Sequence, residues 1–167
     1  MEGIEKAILQ DISLDGIGAA PRKTAHPSDP VHAVDRWTPP VLLERAAYLR
    51  KLAKLGDGSA SETLREYPQH AVMLSFRGRS GEAEMHEQFA DLFVVLAGAA
   101  TLVTGGIVAG AHLIAPGETR GASIAGGTEQ PLKQGDVAHV PAGVPHQMLL
   151  KGDESFTSLV LKIQESA

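Results

Sequence analysis

The clearest pattern in the chain is an apolar stripe at three- and four-residue steps in WTPPVLLERAAYLRKLAKLGDG, residues 37–58. Leu42, Ala46, Leu49, Leu52 and Ala53 recur on one side, with Glu44, Arg45, Arg50, Lys51 and Lys54 on the other. That is the repeat of an amphipathic helix whose apolar face must cover something. Thr38 stands at the N-cap, Pro39 in the first turn and Gly56 at the C′ position, so a helix over about 39–55 is expected. From about Tyr67 the period shortens to two. AVMLSF (71–76), EAEMHE (82–87), DLFVVL (91–96) and ATLVTG (100–105) read as strands bounded by Gly, Pro and Asp. The regions Ala111–Ile114, Val137–Val140, Gln147–Leu150 and Thr157–Ile163 read the same way. Short strands at this spacing favour an antiparallel sandwich or barrel.

Two stretches are less regular. Ile4 to Leu14 fits a short helix or strand, and AAPRKTAHPSDP, with three prolines, reads as loop. GIVAGAHLIAPGETRGASIAGGTEQPLKQGD (106–136) is richer in glycine and reads as a hairpin-like excursion plus loop, not a boundary between domains. The organisation expected is an N-terminal extension over 1–66, carrying the helix, and a β domain over 67–167.

Composition narrows the classes. At 167 residues the chain is most simply one domain with a core of its own. It has no cysteine, hence no disulfide and no thiolate metal site, and usage of that residue says nothing of redox compartment. The formal net charge is −5, and the basic cluster Arg45, Arg50, Lys51 and Lys54 belongs to the wet face of the helix, so a nucleic-acid partner is not expected. MEGIEKAILQ lacks the apolar core of a leader peptide, and no window approaches the ~18 apolar residues of a membrane span. A cytoplasmic protein is the default expectation, although a chain trimmed of a leader would look the same.

Candidate chemistry concentrates in GRSGEAEMHEQFADLFVVLAG, Gly78 to Gly98. Alternation puts Glu84, His86 and Gln88 on one strand face. If Asp91 opens the next strand, it shares a face with Phe93 and Val95, while Leu92, Val94 and Leu96 take the other. Much later, GDVAHVPAGVPHQ brings His146 to the start of another strand after a tight turn. Two imidazoles with one or two carboxylates make a workable shell for a divalent metal. The 2-His-1-carboxylate set leaves positions open for substrate or dioxygen, and His2Glu with a water is equally a zinc arrangement. Taken alone, E-x-H reads as a solvated strand face and His146 as a turn histidine. Gln88, on the strand face of Glu84, is a candidate to orient substrate or water. His139 reads as packed or pocket-lining; His26, His32, His70 and His112 read as surface. Arg77 and Arg79 flank the first glycine and offer a clamp for an anion.

The spacing resembles that of the cupin superfamily. Its first motif places a glycine, five residues, H-x-H, three or four residues, Glu, six residues and a glycine; here Gly78, Glu84, Met85, His86, Asp91 and Gly98 keep that spacing. Glu84 replaces the first His and Asp91 the Glu. The second motif, G, five residues, P-x-G, two residues, H, is met by Gly135, Pro141, Gly143 and His146. The likeness spans about residues 70–163, closest to small bacterial single-domain cupins with E-x-H in the first motif. It implies an all-β fold, a double-stranded β-barrel of jelly-roll type, here with an N-terminal helical extension. It also implies one divalent metal (Fe, Mn, Zn or Ni) held by Glu84, His86, Asp91 and His146, with Glu84, His86 and His146 the strongest three and Gln88 an alternative to Asp91 as ligand, and a homodimer.

The function expected is a metal-dependent enzyme acting on a small polar molecule. Dioxygenase-type chemistry stands slightly ahead of isomerase or lyase chemistry, and Glu84 and Gln88 are the catalytic candidates. The alternative is a non-catalytic module that holds a metal or small ligand. HEQFA has Ala90 where the zinc-protease motif needs a second His, and neither G-x-S-x-G nor G-K-[ST] occurs.

Overall fold

A computed structural model describes residues 34–165. Ile4–Leu14, the proline-rich loop, His26 and His32 lie outside the described residues. Among those described, one helix, α1 (Pro39–Leu55), precedes twelve strands: β1 (Ser59–Glu66), β2 (His70–Arg77), β3 (Ala83–His86), β4 (Phe89–Thr104), β5 (Ile107–Ala109), β6 (His112–Ala115), β7 (Glu118–Gly121), β8 (Ser123–Ala125), β9 (Thr128–Lys133), β10 (Val137–Val140), β11 (His146–Leu149) and β12 (Phe156–Gln164). No helix among these residues is long and apolar enough to cross a membrane.

The two segments read separately as 91–96 and 100–105 are one long strand, and the fold is organised around it. The first half of β4 pairs with β12 and β10, in a sheet continued by β2 and β1; the second half pairs with β9 and β11, in a sheet continued by β3, β7 and β6. Every strand pairing is antiparallel. Two antiparallel sheets sharing a strand that passes from one to the other make the double-stranded, jelly-roll barrel that the motif spacing implies. The glycine-rich excursion is structured: β5 and β8 pair as a separate two-stranded ribbon, flanking β6 and β7.

Strand alternation sorts the apolar residues into two cores. Phe93 and Val95 of β4, Val140, Met148, and Phe156 and Val160 of β12 fill the barrel together with Leu102 and Leu132. A second cluster lies outside it, where Leu42, Ala46, Leu49 and Ala53 of α1 pack on Leu64, Val72, Leu74 and Phe76. The stripe therefore covers the outer face of the β1–β2 sheet, with Leu49 and Leu74 almost wholly removed from water.

The helix departs from its sequence reading in three places. Arg45 is buried, not on the wet face: its Nε donates to Glu62 Oε1 at 2.5 Å and its Nη2 reaches the other carboxylate oxygen. A bidentate pair of this kind satisfies the guanidinium as the helix settles on β1. Gly56 closes the last turn by donating its N–H to the Leu52 carbonyl, but with φ −107°, outside the left-handed region, and the left-handed glycine is Gly58 at +90°. The turn into β1 thus closes two residues later than the C′ position. Thr38 caps through its carbonyl, which accepts from Leu42 N, and not through its side chain.

Candidate metal centre

Three strands of one sheet set the centre row by row. In the ladder β7–β3–β11, Glu84 lies directly between Arg120 and His146, while His86 lies opposite Glu118. From the facing sheet comes β4, whose inward parity puts Asp91 on the side of Phe93 and Val95. Directly across from Asp91 in register stands Lys162 of β12. Residues about sixty positions apart in sequence thereby converge inside the barrel mouth. His86, Asp91 and His146 are almost fully buried, whereas Glu84, Arg77, Arg120, Glu118 and Lys162 keep about a fifth to a quarter of their side chains in solvent. The imidazoles and Asp91 lie deepest, and Glu84 with the charged side chains around it lies nearer solvent.

The two imidazoles are oriented alike. His86 Nδ1 lies 2.5 Å from Glu118 Oε2, and His146 Nδ1 lies 3.1 Å from the Val144 carbonyl. Both partners are acceptors, so each Nδ1 carries a hydrogen, and the neutral form of either ring would turn a bare Nε2 lone pair inward. Those lone pairs meet carboxylates. His86 Nε2 is 3.4 Å from Asp91 Oδ2 and 3.7 Å from Glu84 Oε2; His146 Nε2 is 3.3 Å from Asp91 Oδ2 and 3.6 Å from Glu84 Oε1. His146 Nε2 is buried and has no hydrogen-bond donor against it. A lone pair facing carboxylate oxygens is repulsive unless positive charge lies between them.

Donors ~2.1 Å from one tetrahedral ion stand about 3.4 Å apart, close to the four imidazole–carboxylate separations found here. Glu84, His86 and His146 each offer a donor atom within 4.8 Å of the others. The donor set is nitrogen and oxygen only, suited to Zn, Fe, Mn or Ni. The second shell fits as well, because a carboxylate and a carbonyl fix the ligating tautomers. These residues therefore suit a divalent metal.

The local field favours positive charge. For Asp91, burial opposes ionisation, but contact with the His146 and His86 imidazoles and the charge of Lys162 outweigh it, and the carboxyl is held far below the ordinary carboxylate range. Glu84 is also lowered: burial works against its charge, and His146, Arg120, Arg77 and His86 overcome that. His86 is raised, since Asp91 and Glu84 together outweigh burial and the opposing Lys162. Both carboxylates are thus ionised at neutral pH, and a cation entering the centre meets two negative ligands.

The structure brings Glu84, His86, Asp91 and His146 together and leaves Gln88 outside. Strand β3 ends at His86, and Gln88 lies exposed in the bend before β4, where its carbonyl accepts from Glu165 N. Alternation cannot carry it onto the face of Glu84 because the strand no longer exists there. Of the two flanking arginines, Arg77 reaches Glu84 at 3.8 Å and Arg79 turns away to Asp57. His139 is half-exposed, lining a surface cleft of about 330 Å³ between β4, β9 and β10 that includes none of the four donors. His70 stacks on Tyr67, and His112 is exposed.

Three neighbours escape the sequence reading: Glu118, Arg120 and Lys162. Arg120 Nη2 lies 3.1 Å from Glu84 Oε2, and Lys162 Nζ lies 2.8 Å from Asp91 Oδ1 and 2.9 Å from His86 Nε2. Lys162 had a usable signal, since Phe156, Ser158, Val160 and Lys162 share one parity of β12. Glu118 and Arg120 had none beyond their own two-residue spacing inside a stretch that reads as loop.

Fold and site together define a jelly-roll barrel with a buried His–carboxylate centre. No protein-family model matches the chain, and no curated protein matches it. Solved structures with a similar course of chain include KdgF from Halomonas sp., at 16% identity and TM-score 0.48, covering 67% of this chain and 85% of that one. Another is a conserved protein with a double-stranded β-helix domain from Klebsiella pneumoniae, at 19% identity and TM-score 0.48, covering 65% and 79%. A predicted oxalate decarboxylase from Thermotoga maritima shares 16% identity at TM-score 0.48, covering 64% and 81%. The chain's own strand order, not these likenesses, defines its fold.

Proposed function

We propose that the protein is a cupin-type, metal-dependent enzyme acting on a small polar molecule that carries negative charge. The observation that carries this reading is the buried, unpartnered Nε2 of His146 facing Asp91 and Glu84 beside the equally oriented His86. Glu84, His86, Asp91 and His146 would hold the ion, which when bound would supply Lewis-acid or dioxygen chemistry. Arg77 and Arg120, nearer solvent, favour an anionic group on the incoming molecule. Both already neutralise Glu84, so a substrate anion would share them with that carboxylate. The barrel core behind Phe93 excludes water from the deep side.

Dioxygenase-type chemistry comes first, because Glu84, His86 and His146, the three donors within 4.8 Å of one another, form the two-imidazole, one-carboxylate set that leaves coordination sites free, with Asp91 a further ligand or a neighbour. Isomerase or lyase chemistry is the second reading, favoured by Lys162 and Glu84, two groups able to hold a proton at the edge of the centre. The test is metal analysis of protein purified without added metal, then oxygen uptake and proton-exchange assays on small carboxylates with Fe, Mn, Ni and Zn. Oxygen consumption coupled to substrate loss supports the first reading; deuterium exchange or elimination without oxygen uptake supports the second. Stoichiometric metal without turnover of any kind would leave a binding module and sink the enzyme reading.

A homodimer and a cytoplasmic location belong to the same proposal. What supports self-association is the sheet edge at β6, which presents Leu113 and Ile114 to solvent. Leu113→Lys is expected to shift the protein toward monomer in sedimentation velocity. An unchanged dimer would place the interface elsewhere, and a monomeric wild type would end that part of the proposal.

A further inference from the structure

Arg77 and Arg120 contact Glu84, whereas Lys162 sets a positive charge against Asp91 and His86. Its ammonium donates to Asp91 Oδ1 at 2.8 Å and contacts His86 Nε2 at 2.9 Å. His86 Nε2 belongs to the proposed donor set, and Oδ1 belongs to the carboxylate whose other oxygen, Oδ2, faces both imidazoles. His86 has a single lone pair at Nε2, because its other nitrogen carries the hydrogen shared with Glu118. That lone pair cannot accept an N–H from Lys162 and bind a metal at the same time. The position of Lys162 is fixed by register, since it stands directly across the ladder from Asp91. Its side chain keeps 24% of its surface in solvent, against 3% for Asp91, so the four-carbon arm has an exit that the carboxylate lacks.

We propose that Lys162 is a built-in counter-cation of the centre, one that satisfies Asp91 and His86 until a divalent metal takes the Nε2 lone pair, neutralises the carboxylate and displaces it. The inference rests on the metal-binding reading above and adds a gate to it. It follows from geometry and charge. A buried carboxylate left without a cation is strongly unfavourable, and an ammonium a few ångströms from an ion repels it through a medium of reduced dielectric. Lys162 therefore stabilises the metal-free protein and weakens its hold on metal. The two effects share one cause and have opposite signs, which a merely structural lysine would not produce. Arg120 and Arg77 do not fill the same role, because their contacts are to Glu84, nearer solvent.

The experiment compares wild type, Lys162→Met and Lys162→Arg, each stripped with chelator and titrated calorimetrically with Zn²⁺ and with Mn²⁺, alongside thermal melts with and without metal. Lys162→Met is expected to bind both ions roughly tenfold or more tightly than wild type. Its metal-free form is expected to melt several degrees lower, with the loss recovered on metal addition. Lys162→Arg, which keeps the charge, is expected to bind no more tightly than wild type. Binding by Lys162→Met where wild type shows none would support the gate in its strongest form. Equal or weaker affinity in Lys162→Met would overturn it while leaving the metal reading intact. If no variant bound either ion, the metal reading itself would fail and the gate with it. Should Lys162→Met not fold, Lys162→Gln provides the same comparison, with the same outcomes decisive.

Discussion

Substitution of His146 by alanine is expected to abolish metal loading at the centre while leaving the barrel folded. The imidazole contributes one of two nitrogen donors, and it is held for that task by its Nδ1 contact to the Val144 carbonyl. Loss of an outer-shell partner alone commonly weakens metal binding by 10–100-fold, so loss of the donor should cost at least about a hundredfold. The backbone of residue 146 pairs with Glu84 and with Thr104 whatever side chain it carries, which is why the sheet should persist. The substitution also removes a buried polar atom that nothing satisfies in the metal-free protein, offsetting part of the packing lost against the edge of Phe93, 6.2 Å between ring centres. Metal content by mass spectrometry and the circular dichroism melt check the two halves separately. Full loading in His146→Ala would show that the ion sits elsewhere or that His146 is no ligand.

The same residue marks how far the sequence could be read. His146 was legible because a turn of fixed spacing, Gly135 through Pro141 and Gly143, delivers it to the start of a strand. Asp91, Phe93 and Val95 were legible because a strand's period of two survives any sequence noise at its apolar positions. The α1 stripe was legible for the corresponding reason at 3.6 residues. What was lost is what periodicity cannot carry. Strand β1, SASETLRE, buries only Leu64 fully and offers Glu62 to Arg45, so its pattern is that of a loop. Arg45 itself looks solvated on a helical projection, since nothing in the helix reveals that a carboxylate waits across the contact. Gln88 errs in the other direction: alternation was extended past the point where the chain bends. Lys162, Arg120 and Glu118 are charged residues on strands, and charge on a strand usually means solvent. Only the pairing register, which is a tertiary fact, turns them toward the centre.

Gly98→Ala is expected to be the most damaging single substitution in the fold, costing more than about 4 kcal/mol or preventing folding altogether. Gly98 lies where β4 leaves the β12 sheet and joins the β9–β11 sheet, with φ +79°. The register of β12 against β4 also slips here, between Thr157 and Ser158, so the long strand bends within a few residues. The left-handed backbone alone costs a residue with a side chain about 1–2 kcal/mol. The larger penalty is steric. A Cβ on residue 98 would sit 1.8 Å from the Ser155 carbonyl oxygen and 2.8 Å from its carbon, and both are backbone atoms that cannot rotate away. Shifting Ser155 pulls on Phe156, which is 2% exposed in the barrel core, and then on β12, which holds Lys162 against Asp91. Gly135→Ala supplies the control: φ is +92° there, and the added methyl would meet nothing within 4 Å. That variant should lose only the conformational part, about 1–2 kcal/mol, and fold normally. Chemical denaturation of the pair measures the difference, which isolates the clash. If Gly98→Ala proved within about 1 kcal/mol of Gly135→Ala, β4 would be able to make its crossing without the close approach, and Ser155 would not be the wall against which the strand turns.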